Sequence, residues 1–398
     1  MKRELKKITQ EQLNELLKQH ELWLGTEGKE GKRADLSGMN LNELDFSDRD
    51  LRQIILRDCS MENASFDSAE TAGADFTGAF LRGSSIGKAI LSNDERIFVI
   101  MDKTNLQEVD FSHTDIFNIS FEKADLQGAI FRGSFISDLV FTNANLTNAD
   151  FEGAEIECMD VSGANINGVN FSDLNLQGVN WADAEFKDAI YSGADLRGCD
   201  AHGKNLRKLN FSHANMNGLN LRGADLSETK LFETNLKGTN LQGAILDGAD
   251  ISHAILDDIN FNGASLKRTT LEKMSIENAS FDGADFTGAT IYEMDFKKSS
   301  FRGATLDKMK IEYVELDDVN LSAVDMRESC VKGITINSSD LSCITLLVTT
   351  IKHGDFADVD LTGAKIFDSR IEIVDMYDVK TIGVLLHRTK LKRLAFNN

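Results

Sequence analysis

A large apolar side chain stands at every fifth position from Leu36 to Phe396. Leu36, Leu41, Phe46, Leu51 and Leu56 open the series, and only Thr71, Arg96, Ala201 and Thr381 depart from it. Two residues before each large side chain lies a mostly small one, such as Ala124, Ala129, Ala144 and Ala149. Asp, Asn, Ser or Thr lies between the two, as in Ala194-Asp195-Leu196. Most glycines follow the large residue by two positions, among them Gly163, Gly168, Gly193 and Gly198. An α-helix would smear a five-residue period around its surface, and a flat strand would throw successive members onto opposite faces. The period fits a coil of short segments that turns a corner every five residues. One large and one small side chain per segment fill its interior, and glycine near the corner permits a tight backbone.

A longer period sets the number of sides. Phe111, Phe131, Phe151, Phe171, Tyr191 and Phe211 recur every twenty residues, as do Phe261, Phe281 and Phe301. Four pentapeptides per coil, with like side chains stacked from coil to coil, explain that spacing. The chain also has no proline in 398 residues, where average usage is about 5%. Such a chain needs nearly every backbone N–H in a hydrogen-bonded ladder.

The run Ala144-Asn145-Leu146-Thr147-Asn148-Ala149-Asp150-Phe151-Glu152-Gly153 resembles the A(D/N)LXX repeat of pentapeptide-repeat proteins. The resemblance extends over residues 34 to 396. It implies an all-β solenoid, the right-handed quadrilateral parallel β-helix. About 18 coils at ~4.8 Å each would give a rod on the order of 85 Å long. The resemblance leaves function open, because members of the family do different things on one scaffold.

Residues 1–33 stand outside the repeat. Thr9 and Gln12 have the spacing of a capping box, and Leu13, Leu16, Leu17, His20 and Leu24 follow helical periodicity. This amphipathic helix is expected to cap the first coil of a repeat domain covering 34–398. One coil, around 87–103, is irregular. Asp94 and Arg96 occupy inward columns there, and the run Ile97-Phe98-Val99-Ile100-Met101 follows. An exposed loop is expected, with Asn93, Asp94, Glu95 and Arg96 as candidate partner-binding residues. Arg388, Lys390, Lys392 and Arg393 cluster at the C-terminal coil. They either block strand pairing at an open edge or serve contact with a partner, including a second copy in a homodimer. Arg49 and Lys204 place charge in inward columns, through local distortion or side chains turned outward.

No motif for catalysis, nucleotide binding or a metal is present. His113, His213, His253 and His353 share a column, but two coils separate the nearest pair, about 10 Å against the ~4 Å of a shared metal. No cofactor is expected, and the chain reads as non-catalytic. A net charge of −21 and a pI near 4.8 exclude the basic footprint of direct nucleic-acid binding and favour a protein partner. Five cysteines without metal spacing suit a reducing compartment. No secretory signal or membrane-length apolar run is readable. A cytoplasmic location is therefore expected, with export as a host-directed effector the alternative.

Two functions follow as expectations. The first is a rigid scaffold or effector that binds a protein through its outer faces and ends. The second comes from the resemblance, since some members mimic DNA and bind type II topoisomerases such as gyrase. The repeat body would carry roughly one net charge per 3.3 Å, about half the linear density of B-DNA at ~1.7 Å.

Overall fold

The computed structural model describes residues 5–86 and 99–397. Residues 144–148 show the commonest form of the pentapeptide. The Ala144 N–H closes the preceding corner on Phe141 O at 2.9 Å, and the Asn145 N–H reaches back one coil to Ala124 O at 2.9 Å. Leu146 and Asn148 donate forward to Asn165 O and Asn167 O at 2.8 and 2.9 Å. The remaining N–H, on Thr147, is accepted by the Asn145 side-chain Oδ1 at 3.2 Å. All five backbone donors are engaged, and at the ladder positions proline would delete an inter-coil bond. The Asn145 bond explains the Asp/Asn column, whose side chain stands in for a backbone acceptor two residues on.

The fifth position of each unit is the corner. Its backbone is left-handed in nearly every repeat, with φ of 64° at Gly163 and 70° at Gly168. Where glycine is absent, Asn, Asp and His are frequent occupants, as at Asn143 and Asp173, residue types that tolerate this region. The histidine column is a corner column: His113, His213, His253 and His353 have φ of 56°, 63°, 60° and 55°.

The chain divides into two compact units, 1–195 and 196–398, each an all-β parallel solenoid of four-sided coils. In the first, helix α1 (Gln10–Gly25) begins with a complete capping box between Thr9 and Gln12. Its Leu13, Leu17 and His20 are fully buried. Gln10 clamps both backbone groups of Asp45 at 2.9 Å, and a short strand β1 (Lys6–Lys7) pairs in parallel with β2 (Met39–Asn40). His20 spans the junction: its Nε2–H donates to Arg52 O at 3.1 Å and its Nδ1 accepts the Ala34 N–H at 3.2 Å. Arg49 turns out of its inward column toward the helix, reaching Asn14 at 3.3 Å and Glu21 at 3.6 Å. Lys204, in the other unit, is half-buried.

Aromatic stacks fill the interior of the first unit. Phe111, Phe131 and Phe151 stack at 4.9 and 4.7 Å with interplanar angles of 5° and 6°, and Phe121 stacks on Phe141 at 5.1 Å. The two stacks meet edge to face, Phe131 against Phe141 at 6.0 Å and 85°, the geometry favoured by the ring quadrupole. Among the described residues the coil step is twenty residues except at one place. Asp75 bridges Ile100, Phe80 bridges Asn105 and Ser85 bridges Asp110, a step of twenty-five. The predicted loop residues Asn93, Asp94, Glu95 and Arg96 lie outside the described residues.

The second unit opens in the same style and then changes. From residue 290 the corner of one side is crossed by continuous eight-residue strands: β3 (Thr290–Lys297), β4 (Lys310–Asp317), β5 (Cys330–Asn337), β6 (Thr350–Ala357), β7 (Arg370–Tyr377) and β8 (Lys390–Asn397). They form one parallel sheet in that order, each residue twenty from its partner. In the coil of residues 381–394 the inward leucines Leu386 and Leu391 are 52% and 46% exposed, beside Ile382 at 73% and Leu385 at 54%.

Candidate functional site

The interior is apolar, with aromatic stacks in the first unit and a cavity of about 80 Å³ among inward residues such as Leu316, Leu341 and Phe356 in the second, so chemistry-bearing side chains stand on the outer faces and corners. Of the predicted contact residues, Arg388, Lys390, Lys392 and Arg393 are all exposed. Arg388 and Arg393 occupy corners with φ of 51° and 54°. Lys390 and Lys392 lie on β8, paired with Arg370 and Glu372 of β7. The Lys392 charge helps hold the Glu372 carboxyl below the usual range, although the hydrogen bond from Arg370 is the larger cause.

The sequence reading missed a groove of about 610 Å³ along the corner crossed by β3 to β7. One wall is the corner column Glu293, Tyr313, Gly333, His353 and Ile373; the other is the column Asp295, Glu315, Thr335, Asp355 and Asp375. Val314, Ile334 and Gly354 form the floor between them. No lysine or arginine lines it. A signal for the groove was present in the sequence. Gly354 is the one glycine of the described repeats that falls in the small inward column rather than at a corner. Val314 and Val374 in that column are 2% and 0% exposed, whereas Ile334 is half-exposed on the groove floor.

The histidine column forms polar and aromatic contacts at the surface. His213 Nδ1 lies 3.3 Å from Glu233, and Phe232 sits between the His213 and His253 rings at 5.7 and 5.4 Å. The five cysteines are free thiols. Cys59 is buried and donates to Leu36 O at 3.0 Å, and burial pushes its pKa up to about 11. No helix among the described residues is long and apolar enough to cross a membrane.

Comparison with known proteins agrees with this architecture. The description "Pentapeptide repeat region" matches residues 104–181. "Pentapeptide repeats (8 copies)" matches 45–83, 164–200, 192–227, 224–263 and 264–303. Together these matches span more than half of the chain. No curated protein matches it. Among solved structures, HetL from Nostoc sp. strain PCC 7120, a pentapeptide repeat protein involved in heterocyst differentiation regulation, is 21% identical over 58% of this chain and 91% of its own, with a TM-score of 0.22. Full-length QnrB1, a plasmid-mediated fluoroquinolone resistance protein, is 19% identical over 58% of this chain and 92% of its own, with a TM-score of 0.16. The AlgE6 A-module, a mannuronan C-5 epimerase module from Azotobacter vinelandii, is 7% identical over 76% of this chain and 91% of its own, with a TM-score of 0.21. The five-residue register, the four-sided parallel coils and the repeat matches place this chain in the pentapeptide-repeat family.

Proposed function

We propose that this protein is a non-catalytic scaffold that binds a protein partner through its outer faces and ends. The observation carrying the reading is the packing of the inward columns. Stacks such as Phe111, Phe131 and Phe151, all fully buried, occupy the coils of the first unit, and the inward residues of the second line only a small apolar cavity of about 80 Å³. Ligand recognition is left to the regular outer columns, the way solenoids present extended binding surfaces. The net charge of −21 favours a basic partner surface.

The test is saturable binding of a purified partner, found by affinity capture from the source cell and then titrated in isolation. If no captured protein binds saturably once purified, the reading fails. Two finer proposals belong to it. A type II topoisomerase such as gyrase is the first partner to try, because an acidic solenoid carries about half the linear charge of a duplex. Unchanged supercoiling at micromolar protein would remove that partner. The second is a homodimer through Leu386, Leu391 and the flanking Arg388, Lys390, Lys392 and Arg393. Sedimentation that reports a monomer at every concentration would remove it.

A further inference from the structure

The groove along β3 to β7 holds a charge distribution that the rest of the chain does not neutralise. Asp295 stands directly opposite Glu315, and Asp355 directly opposite Asp375, one coil step apart in register. Like charges facing each other across a ladder are destabilising. Glu293 on the other wall adds a fifth carboxylate. Among the described residues none of these five forms an ion pair with a lysine or arginine. On the same strands Glu312 pairs with Lys310 at 3.5 Å and Glu372 with Arg370 at 2.5 Å, whereas Asp317 forms no ion pair among the described residues.

The shape suits a cation carried on an apolar stem. At the Gly333 corner, φ 65°, an added Cβ would come within 2.9 Å of the Tyr313 ring, so the missing side chain makes room for the ring across the wall. The Lys332 ammonium already sits 5.3 Å from that ring's centroid, which shows that the ring receives an ammonium by cation–π attraction. Ile334 and Val314 offer apolar floor for the methylene stems of lysine or arginine. The carboxylate column spans four coil steps, about 19 Å at ~4.8 Å each. That length matches an extended segment of about six residues and is far too long for a single ion.

We propose that this groove docks an extended lysine- or arginine-rich segment of a partner protein, laid along the column Asp295, Glu315, Asp355 and Asp375. The inference rests on the protein-binding reading above and names the chemistry of one partner segment.

The experiment titrates the full chain into a fluorescein-labelled peptide of alternating arginine and serine and follows anisotropy. The groove variant carries Asp295→Asn, Glu315→Gln, Asp355→Asn and Asp375→Asn. A control variant neutralises four exposed carboxylates elsewhere, Glu43→Gln, Asp173→Asn, Asp183→Asn and Asp188→Asn. The groove variant is expected to weaken binding about tenfold or more and the control by less than about twofold. The groove variant should also melt at a higher temperature than wild type, since removing facing like charges relieves repulsion; this reading is independent of the peptide. Equal weakening by both variants would mean diffuse attraction to an acidic surface and overturns the proposal, as does unchanged binding by the groove variant. Binding of spermidine in the groove without binding of the peptide would reassign it to free polyamines and overturns it as well. If a partner is captured equally by wild type and groove variant, the groove inference alone fails; if wild type binds no partner, the scaffold reading fails.

Discussion

Proline should be tolerated at one kind of position in this chain and rejected at its near neighbour. In the pentapeptide around Leu241, the Asn240 N–H donates to Leu219 O at 3.0 Å, and the Asn240 side chain accepts the Gln242 N–H at 3.2 Å. Asn240→Pro deletes both bonds and orphans the Leu219 carbonyl inside the ladder. Each lost bond is worth about 1 kcal/mol net, and an unsatisfied ladder group about 1–3 kcal/mol more. The expected loss is therefore about 3–5 kcal/mol. Gln242 is the second residue of a turn closed by Ala244 N–H on Leu241 O at 3.0 Å, with Gly243 at φ 66° as the third. Proline is favoured at the second position of such a turn. Gln242→Pro gives up only the bond to the Asn240 side chain, and its lower unfolded-state entropy returns about 0.4–1 kcal/mol. Its net effect should be close to zero. Urea unfolding of both variants, with hydrogen exchange of amides 219–260 to catch local opening, measures the difference. A Gln242→Pro chain destabilised as much as Asn240→Pro would refute the claim that ladder bonding excludes proline.

Three further outcomes follow from single side chains. Phe131 is fully buried between two stacked rings, so Phe131→Ala should cost about 3–5 kcal/mol in urea unfolding, with part of it localised to its own and the adjacent coils. The Thr71 hydroxyl is buried without a hydrogen-bond partner among the described residues, so Thr71→Val should stabilise by about 1 kcal/mol in the same assay, and a loss of stability would contradict that account. Burial holds the His20 pKa below its usual value, and its Nδ1 faces the Ala34 N–H, which cannot accept a proton. The neutral ring therefore stabilises the helix junction fully above about pH 6.5, and that contribution fades as pH falls through the unfolded value toward the lowered folded one. Exchange protection of residues 10–25 should drop between pH 7.5 and 5.5 in wild type and not in His20→Gln; an equal drop in both would exclude His20 as the cause.

The repeat was readable because packing enforces it. Every large inward residue must face the same axis, so the five-residue register, the stacked aromatics and the corner glycines are all written in the sequence. The capping box was readable for a similar reason, since Thr9 and Gln12 satisfy each other within one turn. Contacts between distant parts of the chain were not. Arg49 reads as a charge in the core, and only the position of α1 shows it turned toward Asn14 and Glu21. The groove depends on which columns become neighbours across a corner and on which carboxylates find a base. Neither is set by spacing alone, although Gly354 out of place in the small column was the available clue. The binding residues predicted from the irregular stretch, Asn93 to Arg96, are not among those described, so the groove and the exposed C-terminal basic residues carry the functional argument.

The twenty-five-residue step changes which residues stack while the fold persists. A step of twenty-five is five pentapeptides instead of four, so the five-residue register of Leu81, Ile86, Met101 and Leu106 carries across it, although Asp94 and Arg96 mark the stretch in the sequence. The side on which each pentapeptide lies does shift: Ser85 bridges Asp110, so the inward aromatic column of Phe46 and Phe66 continues through Ile86 to Phe111. Outer columns continue in the same way, with residues twenty-five apart in sequence, rather than twenty, stacked across the step. The inward positions, the Asp/Asn position and the corner are fixed by packing, by the N–H two residues on and by backbone conformation. The position after the large residue needs only its N–H. There side chains can be chosen for a partner without cost to the coil; at the groove-wall corners Glu293, Tyr313 and His353 a non-glycine side chain is held at positive φ, which costs backbone energy.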